Sequence, residues 1–271
     1  TVHGPDVSPP LSREGLHELG SKYWQLALAR ALDDAILHLR TNRADIGTWV
    51  FRIIGDGSLI RAHDGFSEKH ADYWLLREIR LYWTRVLKRI DVTSRSLLAL
   101  LEAGDGCAGT LFEIALACDR IYMLDNDDPP LISLSAMNFG RLPMANGLSR
   151  LQTRFLGDPS RLTELGQSLG QPLNPQVANT LGLVTGIPDE IDWEEEVRLA
   201  IEERSSFSGD ALTGLEANLR FAGPETMETK IFGRLSAWQN WIFQRPNAVG
   251  SEGSLRLYGT GRRPQFDKTR V

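Results

Sequence analysis

A glycine-rich turn between two apolar segments is the part of this sequence best suited to chemistry. The apolar run at residues 96–102 predicts a buried strand, which stops at a turn containing Gly104, Gly106 and Gly109. The segment at 110–120 predicts a helix, because its apolar residues recur on one helical face. A strand that turns through glycines directly into a helix aims backbone N–H groups at the space above the turn. Such donors stabilise the oxyanion of an enolate or a tetrahedral intermediate, although turn glycines that bind no ligand give the same pattern.

The elements before this turn predict an α/β sheet with crossover connections. Helical spacing of apolar residues predicts helices over 16–39 and 73–90. Between them, Thr48–Ile54 has the β-branched and aromatic content of a buried strand. Residues 56–58 predict a turn after that strand. Helices that alternate with strands are typical of α/β folds.

The second half of the sequence predicts mostly helix. Short apolar runs at 121–124 and 131–135 predict two more strands. Residues 147–243 then have almost wholly helical spacing, with a cluster of aromatic residues at 238–243. The tail at 245–271 is rich in Gly, Pro and Arg, so we expect it to wrap over a surface or a partner.

Composition excludes several classes of protein. The 271 residues are 42% hydrophobic and 24% charged with a net charge of −5, which argues against disorder and against a basic nucleic-acid surface. Cys107 and Cys118 are too few for a disulfide framework and have no metal-ligand spacing, so we expect no metal. No dinucleotide fingerprint, long apolar span or signal-peptide pattern occurs. We therefore expect a cytoplasmic protein that binds neither a membrane nor a nicotinamide cofactor.

The residues around the glycine turn resemble the signature of the crotonase (enoyl-CoA hydratase/isomerase) superfamily. Cys107-Ala108-Gly109 is followed by EIALACD at 113–119 and then by an apolar strand. Residues 134–151 resemble the superfamily's stretch of strand, second glutamate, loop, proline and helix, and residues 174–187 resemble a later element. The resemblance implies an α/β, crotonase-like (ClpP/crotonase) spiral ββα fold with a helical C-terminal region, lacking the first β-hairpins.

The resemblance and the composition together predict four parts of the chain. Residues 1–15 are expected to be an extended lead-in or linker, and residues 16–205 a crotonase-like core. Residues 206–244 are expected to form a C-terminal helical region, and residues 245–271 an irregular tail.

The resemblance also implies which residues would act on a thioester. Glu113 matches the first of two glutamates that exchange protons with the substrate in active crotonases. Gly109 and Thr110 match the oxyanion and substrate-binding positions, whereas the second acid/base position falls on Ala136, which cannot carry a proton. The loop at 55–65 does not match the one that supplies the other oxyanion donor. The site is thus expected to be degenerate, with Glu113 either a buried base or a first-turn glutamate favourable to its own helix dipole.

Within the superfamily, residues 211–250 and 89–104 resemble the C-terminal half of the benzoyl-CoA-dihydrodiol lyase family. That family has two crotonase-like halves in one longer chain. The resemblance implies an enzyme that opens the ring of epoxybenzoyl-CoA (the dihydrodiol of the older name) with release of formate in aerobic benzoate degradation. The CoA thioester is the substrate, and no cofactor is implied.

The same resemblance implies that this half mostly scaffolds. It would pack against an N-terminal crotonase half of the same protein and form a dimer surface, with residues 238–243 and 245–271 as contact elements. Two alternatives stay open. The chain is an independent enoyl-CoA hydratase or isomerase that uses Glu113, or it is a noncatalytic CoA-binding protein.

Overall fold

Helices and short strands alternate in the computed structural model, which describes residues 1–102 and 106–269. The strands are β1 (Val2–His3), β2 (Thr48–Ile54), β3 (Ser96–Leu101), β4 (Cys107–Ala108), β5 (Arg120–Met123) and β6 (Ile132–Ser133). The helices of the first half are α1 (Arg13–Leu19), α2 (Trp24–Asn42), α3 (Gly57–Lys69), α4 (Trp74–Asp91) and α5 (Gly109–Leu116). Those of the second half are α6 (Arg150–Arg154), α7 (Arg161–Gln167), α8 (Pro175–Thr180), α9 (Trp193–Ser206), α10 (Gly209–Arg220), α11 (Ser236–Ile242), α12 (Pro246–Val249) and α13 (Ser254–Leu257). Gly20–Lys22 and Ala136–Asn138 form 3₁₀ turns, and Thr229–Leu235 is π-helical.

Two parallel sheets organise the chain. The larger sheet has the strand order β1, β2, β3, β5, and the smaller one pairs β4 with β6. The predicted strand Thr48–Ile54 is confirmed with these bounds, and it pairs Trp49 with Leu97 of β3. All pairings between these named strands are parallel. Parallel neighbours need crossover connections, so the predicted α/β class is confirmed.

Strand β3 is buried on both faces. Leu97 and Leu101 belong to the main core, whereas Leu98 and Leu100 pack with Trp193 in a second apolar cluster on the other side. Because α9 carries Trp193, this helix covers the second face of the sheet. A strand covered on both sides is a continuous apolar run, which explains why residues 96–102 predicted it.

The prediction of one helix over 16–39 is wrong, because α1 and α2 are separate. Gly20 ends α1 with a φ of 51°, a left-handed backbone conformation that glycine adopts without a steric penalty. A 3₁₀ turn and Tyr23 follow before α2 begins at Trp24. The spacing of apolar residues in the sequence does not indicate such a local change of backbone conformation.

The turn predicted at 56–58 is the start of a helix, and most of the loop expected at 55–65 is helical. The side chain of Asp56 caps α3, where its Oδ1 accepts from the backbone N–H groups of Ser58 at 2.7 Å and Leu59 at 3.1 Å. This cap satisfies amides that the first turn of a helix leaves without partners. Helix α3 then packs on α5, the helix that follows the glycine turn.

Both ends of the described chain contain regular structure. The predicted lead-in at 1–15 supplies β1 and the first residues of α1, so it is not extended throughout. The tail contains the short helices α12 and α13, and Asn247 joins it to Asp210 of α10 through a 2.9 Å hydrogen bond. Residues 270 and 271 lie outside the described residues.

Candidate functional site

The carboxylate of Asp64 lies at the amino-terminal end of α5, where the glycine turn predicts an anion. Its Oδ2 accepts from the backbone N–H of Thr110 at 3.0 Å and from Ser135 Oγ at 2.7 Å. Its Oδ1 accepts from Thr110 Oγ1 at 2.5 Å and from Gln25 Nε2 at 3.1 Å. Asp64 is only 2% exposed. The donors at this turn therefore bind a side chain of the same chain.

Three other elements bring their groups to α5. Asp64 lies on the buried face of α3, four residues after Ile60, so helical spacing aims it at α5. Ser135 follows β6, and the pairing of β6 with β4 sets it beside the first turn of α5. Gln25 lies in the first turn of α2, and its Oε1 accepts from Ser67 Oγ at 2.7 Å. That bond directs the amide NH₂ of Gln25 toward Asp64.

Two glycines of the turn are required by close contacts. Gly109 has a φ of 42°, and a Cβ there would lie 1.8 Å from Asp64 Oδ2 and 2.5 Å from Ser135 Oγ. Gly106 has a φ of 62°, and its Cβ would lie 2.0 Å from the carbonyl oxygen of Leu131. The third glycine of the predicted turn, Gly104, lies outside the described residues.

Hydrogen bonds at the site partly offset the unfavourable free energy of burying the Asp64 carboxylate. Burial raises the pKa of Asp64 to about 6, and hydrogen bonds from Thr110, Ser135 and Gln25 lower it in part. The N-terminal end of α5 adds a favourable dipole for a negative charge. Above neutral pH the carboxylate is ionised and occupies the donors.

The cavity beside Thr110 is small. The cavity that borders Thr110, Gln25, Leu76 and Trp83 has a volume of about 20 Å³. A cavity of this size holds roughly one water molecule, whereas small-molecule sites commonly need ~300 Å³ or more.

Glu113 lies in the second turn of α5 and is 1% exposed. Its Oε1 accepts from Asn138 Nδ2 at 2.9 Å, and its Oε2 accepts from Arg150 Nη1 at 3.0 Å. Arg150 also donates to Asp91 Oδ2 at 2.7 Å, which makes a buried group of two carboxylates and one guanidinium. Burial raises the pKa of Glu113, while Arg150 and Asn138 oppose the rise.

The expectation that Glu113 serves its own helix dipole from the first turn is wrong. No acidic residue lies in the first turn of α5, and Glu113 instead joins α5 to Arg150 at the start of α6. Arg150 gave no sequence signal, because its partner is 37 residues away along the chain.

Ala136 is the exposed first residue of the 3₁₀ turn after β6 and contributes only a methyl group. Its neighbour Ser135 donates to Asp64, and Asn138 at the end of the same turn donates to Glu113. The turn therefore connects the two buried carboxylates. Ser135 and Asn138 form a capping box, a spacing that could have marked both residues in the sequence.

Other residues with possible chemistry are buried in the core. Cys107 and Cys118 are free, and burial raises the pKa of both thiols, as expected for small apolar core residues. His63 is also buried, since it is 2% exposed, and its Nε2 lies 3.0 Å from the carbonyl oxygen of Val7. Across residues 1–102 and 106–269, no cluster of His, Cys, Asp or Glu could hold a metal ion. No helix in this part of the chain is long and apolar enough to cross a membrane.

The fold is that of the crotonases. An enoyl-CoA hydratase from Geobacillus kaustophilus HTA426 superposes with a TM-score of 0.65 and 20% identity, covering 89% of this chain and 87% of that one. An enoyl-CoA hydratase/isomerase from Cupriavidus metallidurans CH34 superposes with the same TM-score and 17% identity, covering 90% and 86% of the two chains. The chain thus has the crotonase fold. No protein-family model matches it.

Sequence similarity identifies a particular relative. The chain is 53% identical over 272 residues to the benzoyl-CoA-dihydrodiol lyase of Aromatoleum evansii, an alignment that covers 100% of this chain. It spans 49% of the length of that enzyme. The chain is therefore related, along its whole length, to about half of a benzoyl-CoA-dihydrodiol lyase.

Proposed function

We propose that the chain is a crotonase-fold module of a benzoyl-CoA-dihydrodiol lyase-like enzyme. The whole enzyme would open the ring of epoxybenzoyl-CoA and release formate, with the CoA thioester as substrate and without a further cofactor. The 53% identity to the Aromatoleum evansii enzyme supports this assignment.

We infer that this module does not bind the reacting acyl group. The observation that carries the inference is the 3.0 Å hydrogen bond from the Thr110 N–H to Asp64. An oxyanion hole works through donors that are free to bind the developing negative oxygen. Here the donor is engaged, and the adjacent carboxylate would repel a second negative charge.

Glu113 is also poorly placed for proton transfer. A general base must reach the proton that it removes, but both oxygens of Glu113 accept from Asn138 and Arg150. These contacts favour a role in joining helices. The module would then act as a scaffold that supports a catalytic N-terminal crotonase half.

The C-terminal helices supply the contact surface in this proposal. Trp238 and Trp241 stack edge to face with ring centroids 5.5 Å apart. Phe232, Leu235 and Phe243 of the same region are exposed apolar residues. Exposed apolar clusters commonly mark protein–protein interfaces. We propose that this region and the tail at 245–271 bind the other half of the enzyme and form the dimer surface.

The test compares the isolated chain with the chain joined to an N-terminal crotonase half. We expect ring opening, measured as formate release from epoxybenzoyl-CoA, only from the joined protein. Turnover by the isolated chain at a comparable rate would refute the scaffold assignment.

The rival function is an independent enoyl-CoA hydratase or isomerase, which the raised pKa of Glu113 favours. The variant Glu113→Gln distinguishes the two functions, because replacing a catalytic carboxylate should lower the rate of the enzyme by several orders of magnitude. We expect E113Q in the joined protein to keep its rate of formate release per folded molecule.

The third candidate is a noncatalytic CoA-binding protein. If this assignment is correct, calorimetric titration of the isolated chain with benzoyl-CoA will show binding.

A further inference from the structure

The groups around Asp64 form a complete anion site. Each carboxylate oxygen accepts two hydrogen bonds, Oδ1 from Gln25 and the Thr110 hydroxyl, and Oδ2 from Ser135 and the Thr110 amide. An ionised carboxylate has about four lone-pair positions, so the donors saturate it. They come from α2, from α5 and from the turn after β6.

The charge of this carboxylate is balanced by hydrogen bonds and not by a cation. Within the described residues, Asp64 forms no ion pair with a Lys, Arg or His side chain, and hydrogen bonds oppose the effect of burial on its pKa. Two of the donors are also held by other parts of the structure. The Thr110 amide belongs to a helix backbone, and the orientation of Gln25 is set by Ser67.

Gly109 lies directly against the carboxylate of Asp64. Its hypothetical Cβ would overlap Asp64 Oδ2 at 1.8 Å, so the absence of a side chain at Gly109 makes room for the carboxylate. The contact ties α3 to α5 through residues that are 46 positions apart in the chain. The donors and the space at Gly109 match the size and shape of a planar carboxylate.

We propose that the start of α5 is an anion-binding site whose permanent ligand is the Asp64 carboxylate, and that a small free monocarboxylate takes its place when that side chain is removed. The site fastens α3 to α5 and keeps the turn closed to thioesters. The inference goes beyond the proposed function, because it concerns binding and stability and does not require that either half be catalytic.

The experiment is rescue of Asp64→Ala by formate, at a pH above neutral and at constant ionic strength. D64A should melt at a lower temperature than the wild type. Formate should raise the melting temperature of D64A saturably, because a ligand that binds only the folded state stabilises it in proportion to its occupancy. Chloride and the neutral analogue formamide should not reproduce this rise.

Two matched variants control the measurement. Asp64→Asn keeps the site filled, so formate should shift D64N no more than the wild type. Leu76→Ala opens an apolar space at the neighbouring cavity, and L76A should be destabilised but not rescued. Equal formate responses of D64A and L76A, or a melting temperature of D64A equal to that of the wild type, would overturn the proposal.

A measurement on the wild type keeps the test decisive if D64A does not fold. NMR titration follows the carboxyl carbon of Asp64 and the amide proton of Thr110. Since the amide donates to the carboxylate, both signals should titrate with one midpoint, above the usual range of aspartate. A Thr110 amide that does not follow the Asp64 titration would refute the proposed bond. The rescue and NMR results do not depend on turnover, so they can fail or succeed independently of the proposed function.

Discussion

The buried position of Asp64 shifts the pKa of its carboxyl group. Burial raises its pKa from the ordinary aspartate value of about 3.8 to about 6. A carboxyl group with a higher pKa in the folded state binds protons more tightly there. Its contribution to the free energy of unfolding is therefore largest below the unfolded pKa and is lost as the pH rises through the folded pKa.

We predict a pH dependence that Asp64→Asn removes. Relative to D64N, the free energy of unfolding of the wild type should fall by about 2 kcal/mol as the pH rises from about 4 to about 7. Urea unfolding of both proteins at a series of pH values measures the difference, in which the other titrating groups cancel. Parallel curves for the two proteins would show that Asp64 titrates normally.

Gly109 gives a second prediction at the residue scale. Gly109→Ala places a methyl group against Asp64 and Ser135 in a left-handed backbone conformation, so it should cost at least roughly 3 kcal/mol of unfolding free energy. Gly140→Ala is the control, because Gly140 has a φ of 99° but no atom within 4 Å of its Cβ. G140A should lose only about 1–2 kcal/mol from backbone strain. Urea unfolding compares them, and equal losses would contradict the close contact at Gly109.

At the scale of elements, buried ion pairs join three helices. Arg150 at the start of α6 binds Glu113 of α5 and Asp91 at the end of α4. Two carboxylates share one guanidinium in a site where all three side chains are at most 5% exposed. This arrangement fixes how α5 lies against its neighbours, and with it the turn that holds Asp64.

We predict that Arg150→Met destabilises the fold strongly near neutral pH. Removing the cation leaves two buried carboxylates unpaired, which should cost about 3–5 kcal/mol. Arg161→Met breaks an exposed pair with Glu164 and should cost under about 1 kcal/mol. Thermal and urea unfolding of R150M and R161M measure the contrast.

Low pH should reduce the loss in R150M. Burial already raises the pKa of Asp91 and of Glu113, and the loss of Arg150 raises both further. Protonation then removes the unpaired charges, so the difference between R150M and the wild type should shrink as the pH falls. A loss that stays constant with pH would indicate a packing effect alone.

At the scale of the whole molecule, the proposed contact surface predicts association through the C-terminal helices. Phe232 is 72% exposed and Phe243 is 48% exposed. The double variant Phe232→Ser/Phe243→Ser should weaken binding to the N-terminal crotonase half and self-association, since both would bury these rings. Sedimentation velocity measures both. Leu11→Ser is the control, because Leu11 is fully exposed but lies in the N-terminal lead-in. Unchanged sedimentation of the double variant would exclude this surface.

Elements with a local signal could be predicted from the amino-acid sequence alone. Thr48–Ile54 and the continuous apolar run of β3 predicted strands, and α4 was predicted within one residue at each end. The order of residues around Gly109 and Glu113 predicted the crotonase fold. The strands and the helix follow from periodicity in the linear sequence, whereas the fold was implied by the resemblance of these residues to the crotonase signature.

The side chain that binds the donors at the start of α5 could be identified only from the folded chain. Asp64 meets Thr110 across 46 positions and Ser135 across 71, and no spacing rule connects residues so far apart. Residues 56–58 were interpreted as a turn and not as the capped start of α3, so the helix face that carries Asp64 was not predicted. Whether amide donors are free for a ligand or engaged by a side chain depends on how separate elements pack, because hydrogen bonds require contact in space.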